Sequence, residues 1–292
     1  MCAVEFLRPR TWCDALEARA ENPGAVPIAG GTDVMVEVNF DRSRPAALLD
    51  LTGVAELATW SESGGELRIG AGLPYGRLIS ELGERLPALA MASRTVGSPQ
   101  IRNRGTVGGN LGSASPAGDA HPPLLACDAE VELASVRGTR SVPVTEFFTG
   151  PKRSALAADE LIAAVRLAPA TGAQQFSKIG TRNAMVIAVC TFAVALRPEQ
   201  RRVRTGLGAA GPTPLRAREA EGFLSAELDW DSAEPLPEEL VRHFGDLVSR
   251  AANPIDDVRG TADYRRHALG VMARRTLSWV WDDHREGRLE CA

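Results

Sequence analysis

Residues 105–119 read GTVGGNLGSASPAGD, a run of glycines, hydroxyls and amides that ends in an aspartate. Glycine loops leave backbone N–H groups available for an anion, and the side chains of Thr106, Asn110 and Ser113 add further donors. The carboxylate of Asp119 at the far end suits the hydroxyl groups of a sugar. The stretch therefore predicts a loop that binds both phosphate and sugar.

A second glycine pair lies about 75 residues earlier, in the sequence IAGGTDVM at 28–35. Gly30 and Gly31 follow a short apolar run, so a buried strand is predicted to enter a tight turn whose N–H groups point the same way. Thr32 adds a hydroxyl, and Asp33 either bonds a ribose or ribityl hydroxyl or caps the helix that begins at Val34. An ordinary strand-to-helix turn is the alternative for this motif alone. Two such loops in one chain favour a dinucleotide held between subdomains.

The rest of the chain alternates between predicted strands and helices. Strands are predicted at 26–29, 47–51, 67–71, 129–134, 140–144, 161–167, 191–196 and 202–207. Helices are predicted at 12–20, 78–86, 184–190, 238–252 and 261–280. The stretch 96–123 is predicted to be a long ordered loop, and 169–172 a boundary between domains.

A third glycine motif, at Gly206, Gly208 and Gly211, has the GxGxxG spacing of a Rossmann dinucleotide site. That fingerprint requires a helix to open within the glycines, but Pro212 and Pro214 keep this chain extended. The motif is therefore predicted to be a structural turn.

The composition excludes several classes of function. The 33 basic and 37 acidic residues give a net charge of −4 without long charged blocks, which argues against nucleic acid or anionic lipid as a partner. No stretch reaches the ~20 apolar residues of a membrane span, and the N-terminus lacks a secretory h-region, so a cytoplasmic protein is expected. The five cysteines and four histidines are scattered, which predicts reduced thiols and no metal site.

Four segments in the same order carry a resemblance to a known family. They are AGGTD at 29–33, IRNRGTVGGNLGSASPAGD at 101–119, ADELI followed by FSKIGTRNA in 158–184, and DYRRHALGVMARR at 263–275. Together they resemble the FAD-binding medium subunit of the xanthine dehydrogenase and carbon monoxide dehydrogenase family of molybdenum hydroxylases.

The resemblance implies an α+β fold: a two-subdomain FAD-binding fold of the vanillyl-alcohol oxidase type, followed by a C-terminal α+β domain. The FAD-binding domain would span 1–170, with subdomains at about 1–55 and 56–170, and the C-terminal flavoprotein domain would span 171–292.

The resemblance also implies residue roles around a noncovalent FAD. The first loop would wrap the pyrophosphate with Ile28, Ala29, Gly30, Gly31, Thr32, Asp33 and Val34. The second loop would bind it from the other side with Thr106, Gly109, Asn110 and Ser113. Asp119 would meet ribityl or ribose hydroxyls, Ile162 would pack near the flavin, and Lys178 would lie near the cofactor. A solvated lysine on a strand edge is the alternative for Lys178, and His121 is expected to be a loop histidine.

The function implied is an electron-transfer subunit. Its FAD would accept electrons from 2Fe–2S clusters in a small subunit, which receive them from a molybdopterin large subunit, and pass them to NAD or a quinone. The partners would form a dimer of heterotrimers, and the substrate would be xanthine by general likeness. A self-sufficient flavin oxidoreductase of the same fold and a flavin-free interaction subunit are the alternatives, but the sequence shows no acid–base pair for the former.

Overall fold

The N-terminal part of the chain builds a small parallel sheet. The computed structural model describes the backbone of residues 4–291 and the side chains of residues 4–287. Three strands pair in the order β1-β3-β2, and all pairs are parallel. The elements are β1 (Glu5–Leu7), α1 (Trp12–Glu21), β2 (Val26–Ile28), α2 (Val34–Asn39) and β3 (Ala47–Asp50). Helix α1 begins with a capping box, in which Thr11 Oγ1 accepts from the Asp14 N–H at 3.1 Å.

The middle of the chain forms a five-stranded antiparallel sheet in the order β4-β5-β10-β6-β7. Its strands are β4 (Trp60–Ser63), β5 (Glu66–Gly70), β6 (Glu130–Ser135), β7 (Gly138–Pro143) and β10 (Leu161–Leu167). The central strand β10 is an apolar run, LIAAVRL, which suits a strand covered on both faces. A small hairpin joins β8 (Phe148–Gly150) to β9 (Arg153–Ser154).

Six helices connect these strands. They are α3 (Tyr75–Leu82), α4 (Pro87–Arg94), α5 (Pro99–Arg102), α6 (Val107–Ser113), α7 (His121–Ala126) and α8 (Val144–Phe147). Both sequence expectations for this region need correction. The predicted helix at 78–86 ends at Leu82, and the predicted loop at 96–123 contains three short helices. The sequence contains a start signal for each of these unexpected helices. Helices α4, α5 and α7 have a proline near their first residue, and α6 is capped by Thr106.

The C-terminal part packs three helices on a three-stranded antiparallel sheet in the order β11-β12-β13. The elements are β11 (Gln174–Gly180), β12 (Ala188–Arg197), β13 (Arg202–Gly208), α9 (Arg218–Glu227), α10 (Glu238–Ala251) and α11 (Ala262–Cys291). The helix predicted at 184–190 is wrong. Met185 has a positive φ of 51°, and the chain runs from a loop directly into β12. This segment contains the β-branched residues Val186, Ile187 and Val189, which favour a strand over a helix.

Two separate hydrophobic clusters stabilise these parts. One contains buried side chains between Ala15 and Leu167, and the other contains buried side chains between Cys190 and Trp281. A third, smaller cluster sets alanines of α4 and α7 against Phe176 and against alanines of β12. The C-terminal sheet is thereby packed against the same helices that flank the second glycine loop.

The third glycine motif opens no helix, as expected, but two of its glycines, Gly206 and Gly208, lie on strand β13 and not in the predicted turn. The chain leaves β13 without opening a helix, and Leu207 pairs with Leu215 instead. A Cβ on Gly206 would lie 2.0 Å from the Pro122 carbonyl oxygen. Glycine is therefore required at position 206 because α7 lies directly on β13.

Candidate functional site

The first glycine loop presents a row of unpaired backbone donors. It leaves β2 at Ile28 and turns at Gly31, whose φ is +76°, before α2 begins at Val34. The N–H groups of residues 30–34 have no acceptor among the residues that the structure describes. Asp33 occupies the N-cap position of α2, as weighed in the sequence analysis, but its side chain makes no capping bond. Consecutive unpaired N–H groups form a concavity that suits an anion.

The second loop differs from its prediction, because three of its central backbone N–H groups are already paired. It forms α6, whose cap is Thr106; Thr106 Oγ1 accepts from the Gly109 N–H at 2.9 Å. The N–H of Gly108 bonds to Ala71 O, and that of Asn110 to Thr106 O. The expected free backbone donors at Gly108, Gly109 and Asn110 are therefore absent.

Asn110 and Ser113 have different donor capacities. The Asn110 Oδ1 accepts weakly from the Ala120 N–H at 3.4 Å, which leaves the amide NH₂ group for a ligand. The Ser113 hydroxyl donates to the Asn110 carbonyl at 2.9 Å. Ser113 can therefore still accept a hydrogen bond, but it has no donor left for a phosphate.

The two loops touch each other directly. A Cβ on Gly30 would lie 1.9 Å from the Arg104 carbonyl oxygen and 2.9 Å from the Gly105 nitrogen. The Thr32 Oγ1 lies 3.6 Å from the position a Cβ on Gly105 would take. A side chain at position 30 would force the loops apart, so the shared cleft requires glycine there.

Asp119 and Lys178 meet in a buried ion pair between the middle and C-terminal parts of the chain. The Lys178 Nζ lies 2.6 Å from Asp119 Oδ2, and the two side chains are only 8% and 11% exposed. The Nζ also donates to the Thr95 carbonyl at 3.3 Å. Lys178 lies on edge strand β11, but its side chain is buried, so the solvated alternative is wrong.

The second oxygen of Asp119 has no partner. Its Oδ1 is buried and accepts no hydrogen bond from any described residue. Burial raises the pKa of this carboxyl, while the charge and hydrogen bond of Lys178 and a hydrogen bond from the Thr95 side chain oppose the rise. An unpaired buried acceptor costs free energy unless a ligand or water fills its place.

Ile162 forms part of the support beneath α6. It lies on β10, is 8% exposed, and its Cδ1 is 3.8 Å from the position of a Cβ on Gly112. Its side chain therefore packs under the second loop, on the side of the core.

His121 is a buried structural residue and not the loop histidine that was expected. It opens α7, is fully buried and packs on Phe148 with ring centroids 4.5 Å apart. Its Nε2 donates to the Asn110 carbonyl at 3.2 Å. Burial lowers the pKa of His121 to about 4, so the imidazole is neutral at pH 7.

Tyr75 was missed by the sequence analysis. It opens α3, and its N–H donates to the Gly105 carbonyl at 2.9 Å. Its buried hydroxyl has no partner among the described residues. A tyrosine in the sequence GLPYGR carries no binding signature, so only its position beside the second loop reveals it.

A dinucleotide such as FAD fits these features. The first loop offers unpaired N–H groups for the pyrophosphate, and Asn110 offers an amide donor. The unpaired Asp119 Oδ1 offers an acceptor for a sugar or ribityl hydroxyl. Among the described residues, no group of histidine, cysteine and carboxylate side chains is arranged to hold a metal ion.

The thiols of Cys13, Cys127 and Cys190 are free, while the side chains of Cys2 and Cys291 lie outside the described set. No helix in the described part of the chain is both long enough and apolar enough to cross a membrane.

Comparisons with known proteins cover nearly the whole chain. A family described as the FAD binding domain in molybdopterin dehydrogenase matches residues 2–170. Residues 175–280 match the CO dehydrogenase flavoprotein C-terminal domain.

Individual relatives align over similar lengths. The xanthine dehydrogenase FAD-binding subunit of Escherichia coli O157:H7 is 32% identical over 94% of this chain and 95% of its own. The nicotine 6-hydroxylase medium subunit of Paenarthrobacter nicotinovorans is 29% identical over 94% and 96%. A solved structure of carbon monoxide dehydrogenase from Hydrogenophaga pseudoflava matches with a TM-score of 0.88 and 29% identity, over 96% of this chain and 98% of that one. The match confirms the expected α+β fold.

The buried ion pair generates a prediction about stability. Replacing Lys178 with methionine leaves the Asp119 carboxylate buried without its cation, which costs about 3–5 kcal/mol. We expect urea unfolding of the FAD-free chain at about pH 7 to show that loss. Without the cation, the pKa of Asp119 in the folded chain rises further, so the carboxyl is protonated more readily and the loss shrinks as the pH falls toward about 5.

The matched control is Lys152→Met, at the only other lysine in the sequence. Lys152 pairs with Glu37 at 3.0 Å but is 68% exposed, so its loss should cost less than about 1 kcal/mol. Equal losses in the two variants would contradict a special role for the buried pair.

Proposed function

Because the chain belongs to the family of FAD-binding subunits of molybdopterin dehydrogenases, we propose that it relays electrons within a larger complex. A bound FAD would supply the redox chemistry, taking electrons from iron–sulfur clusters and giving them to NAD or another acceptor. The chain's own residues bind and orient the cofactor and set the charge around it. The single observation that carries the proposal is the pair of touching loops, with unpaired N–H groups on one and the unpaired Asp119 oxygen beyond the other.

The proposed cofactor site uses the residues of both loops. The N–H groups of residues 30–34, with Ile28 and Ala29 leading into the turn, hold the pyrophosphate, while Thr106 and Asn110 approach it from the other side. Gly109 contributes an exposed backbone without a side chain, and Ser113 accepts from a cofactor hydroxyl. Asp119 accepts from a ribityl or ribose hydroxyl, and Ile162 and Lys178 border the flavin. FAD is held noncovalently, since His121 is buried and already bonded.

We propose the domain division at about residue 170, with 1–170 binding FAD and 171–292 forming the C-terminal domain. The separate hydrophobic clusters on either side of this position support the division. The proposed partners are an iron–sulfur small subunit and a molybdopterin large subunit, arranged as a dimer of heterotrimers. Placement in the cytoplasm remains a prediction.

The proposed acceptor is NAD. A cleft of about 440 Å³ opens beside Lys178 and is lined by Arg94, Arg102 and Arg182. Their guanidinium groups give the cleft a positive charge, which suits the phosphates of a nucleotide.

The proposed substrate of the complex is xanthine or a related N-heterocycle. The relative named for xanthine is 32% identical to this chain, but the relative named for nicotine is nearly as similar at 29%. Similarity in this subunit therefore separates substrates weakly, and the large subunit is expected to decide between them.

The Asn110 amide provides a direct test of the site. Asn110→Asp keeps the oxygen that accepts from Ala120 but replaces the free NH₂ donor with a negative charge beside the pyrophosphate. Loss of a charge-assisted bond costs roughly 1.5–3 kcal/mol, so FAD affinity should fall at least about tenfold. Fluorescence titration of the FAD-free chain measures the change.

The matched control for that titration is Asn253→Asp, an exposed asparagine after α10. It should bind FAD as the unmodified chain does. If Asn110→Asp bound FAD as tightly as the wild-type chain does, the proposed role of the second loop in binding the pyrophosphate would be wrong.

The choice of electron donor that reduces the flavin distinguishes an electron-transfer subunit from a self-sufficient flavin oxidoreductase. In anaerobic mixing, NADH should bleach the flavin of the isolated chain, because transfer to NAD is reversible in principle. Xanthine and aldehydes should leave the flavin oxidised, because their oxidation is assigned to a missing subunit. Rapid bleaching by xanthine in the chain alone would instead favour the self-sufficient oxidoreductase.

Assembly is tested by coexpression with the iron–sulfur and molybdopterin subunits. A stable interface buries more than about 1,000 Å² in total, so the three chains should elute together in size-exclusion chromatography. The mass should be that of two heterotrimers, since twofold closure is common. Elution of the flavoprotein alone at every protein concentration would contradict the proposed assembly.

A further inference from the structure

Lys152 connects the two cofactor loops through the helices that follow from them. Its Nζ donates to Glu37 Oε1 on α2 at 3.0 Å. Its backbone N–H donates at 3.1 Å to the carbonyl of Ala114, the residue that caps the end of α6. Lys152 lies in the turn between β8 and β9 and has a positive φ of 54°. This turn therefore crosses from the end of the second loop to the helix that follows the first.

Helix α2 has few other attachments to the rest of the protein. None of its residues is buried, and the side chains of Met35 and Val36 are exposed. In the part of the chain that the structure describes, the contact with Lys152 is the one hydrogen bond or ion pair made by a side chain of α2. A helix of six residues is not stable alone in water, so its position depends on such contacts.

The position of α2 in turn determines the position of the first loop. The Met35 N–H donates to the Gly31 carbonyl at 3.1 Å, and the Glu37 N–H donates to the Asp33 carbonyl at 3.1 Å. The loop and the first turn of α2 are therefore one hydrogen-bonded unit. A contact that holds Glu37 also orients the unpaired N–H groups of residues 30–34.

We infer that Lys152 is a positioning residue, which ties α2 to the end of α6 and keeps the first loop in place on a bound FAD. This rests on the proposed placement of FAD between the two loops. The ion pair is partly solvated, because the Lys152 and Glu37 side chains are 68% and 34% exposed. An exposed pair contributes little, so it changes the rate at which FAD leaves by a few fold and does not decide whether FAD binds.

A direct contact with the cofactor is the competing role for this lysine. The ammonium group would then leave Glu37 for the pyrophosphate, and the Glu37 carboxylate would oppose FAD binding by repelling the phosphates. The two roles give opposite expectations for Glu37. It retains FAD if Lys152 ties the helices together, and it disfavours FAD if Lys152 binds the phosphates.

The rate of FAD release from the full chain separates the two roles. The FAD-loaded protein is diluted far below its Kd, and flavin fluorescence reports the release. Lys152→Met and Glu37→Gln should each speed release about threefold, since either change removes the same ion pair. The double variant should be no faster than either single variant. Slower release from Glu37→Gln than from the wild-type chain would overturn the assignment in favour of a phosphate contact.

Exchanging the two charges gives a second measurement. The double variant Glu37→Lys/Lys152→Glu keeps an ion pair between the same two positions, so FAD release should return to about the wild-type rate. A phosphate contact is not restored by this exchange, because a glutamate then replaces the cation in the turn. Release faster than from Lys152→Met would therefore contradict the positioning role.

Arg44→Met is the matched control. Arg44 pairs with Asp41 just after α2 and is 82% exposed, but this pair spans three residues and links no two elements. Release should be unchanged in it. Asn110→Asp, measured alongside, separates two kinds of failure. If Asn110→Asp speeds release and the Lys152 and Glu37 variants do not, the role of Lys152 is wrong; if none of the three speeds release, the placement of FAD is wrong and the assignment fails with it.

Discussion

The backbone of Gly30 lies so close to the Arg104–Gly105 peptide that a Cβ at position 30 would fall 1.9 Å from the Arg104 carbonyl oxygen. This contact joins the turn after the small parallel sheet to the loop that precedes α6. Because the two loops arise from different sheets, their approach fixes how those sheets are placed. The first loop, with its unpaired N–H groups, consequently meets the second loop at Gly105.

The buried pair of Asp119 and Lys178 adds the C-terminal sheet to this arrangement. Lys178 extends from β11 to a carboxylate that directly precedes α7, at a distance of 2.6 Å. A buried ion pair is weak evidence for stability, since desolvating two charges offsets much of their attraction. The pair instead fixes the orientation of the Asp119 carboxylate, and it leaves Oδ1 of that carboxylate for a ligand.

The sequence predicted those parts of the structure that depend on local patterns. The strand at 161–167 and the capping box at Thr11 follow from an apolar run and from short-range hydrogen bonds, and both were found. The helix expected at 184–190 failed because β-branched residues continue a strand whose partners are distant in sequence. The pairing of Gly108–Asn110 N–H groups and the burial of Tyr75 depend on how α6 packs, which no short motif encodes.

The same packing determines the protonation states of the buried histidine and of two buried cysteines. Burial lowers the pKa of His121 to about 4, and it raises the pKa of both Cys127 and Cys190 to about 12. These groups therefore remain neutral near pH 7, and the histidine is committed to the Asn110 carbonyl. Asp119 is bound to Lys178, so neither is free to exchange a proton without leaving a buried charge unpaired. The polar groups that remain available in the two loops donate or accept hydrogen bonds, which is the requirement for orienting a redox cofactor whose own ring carries the electrons.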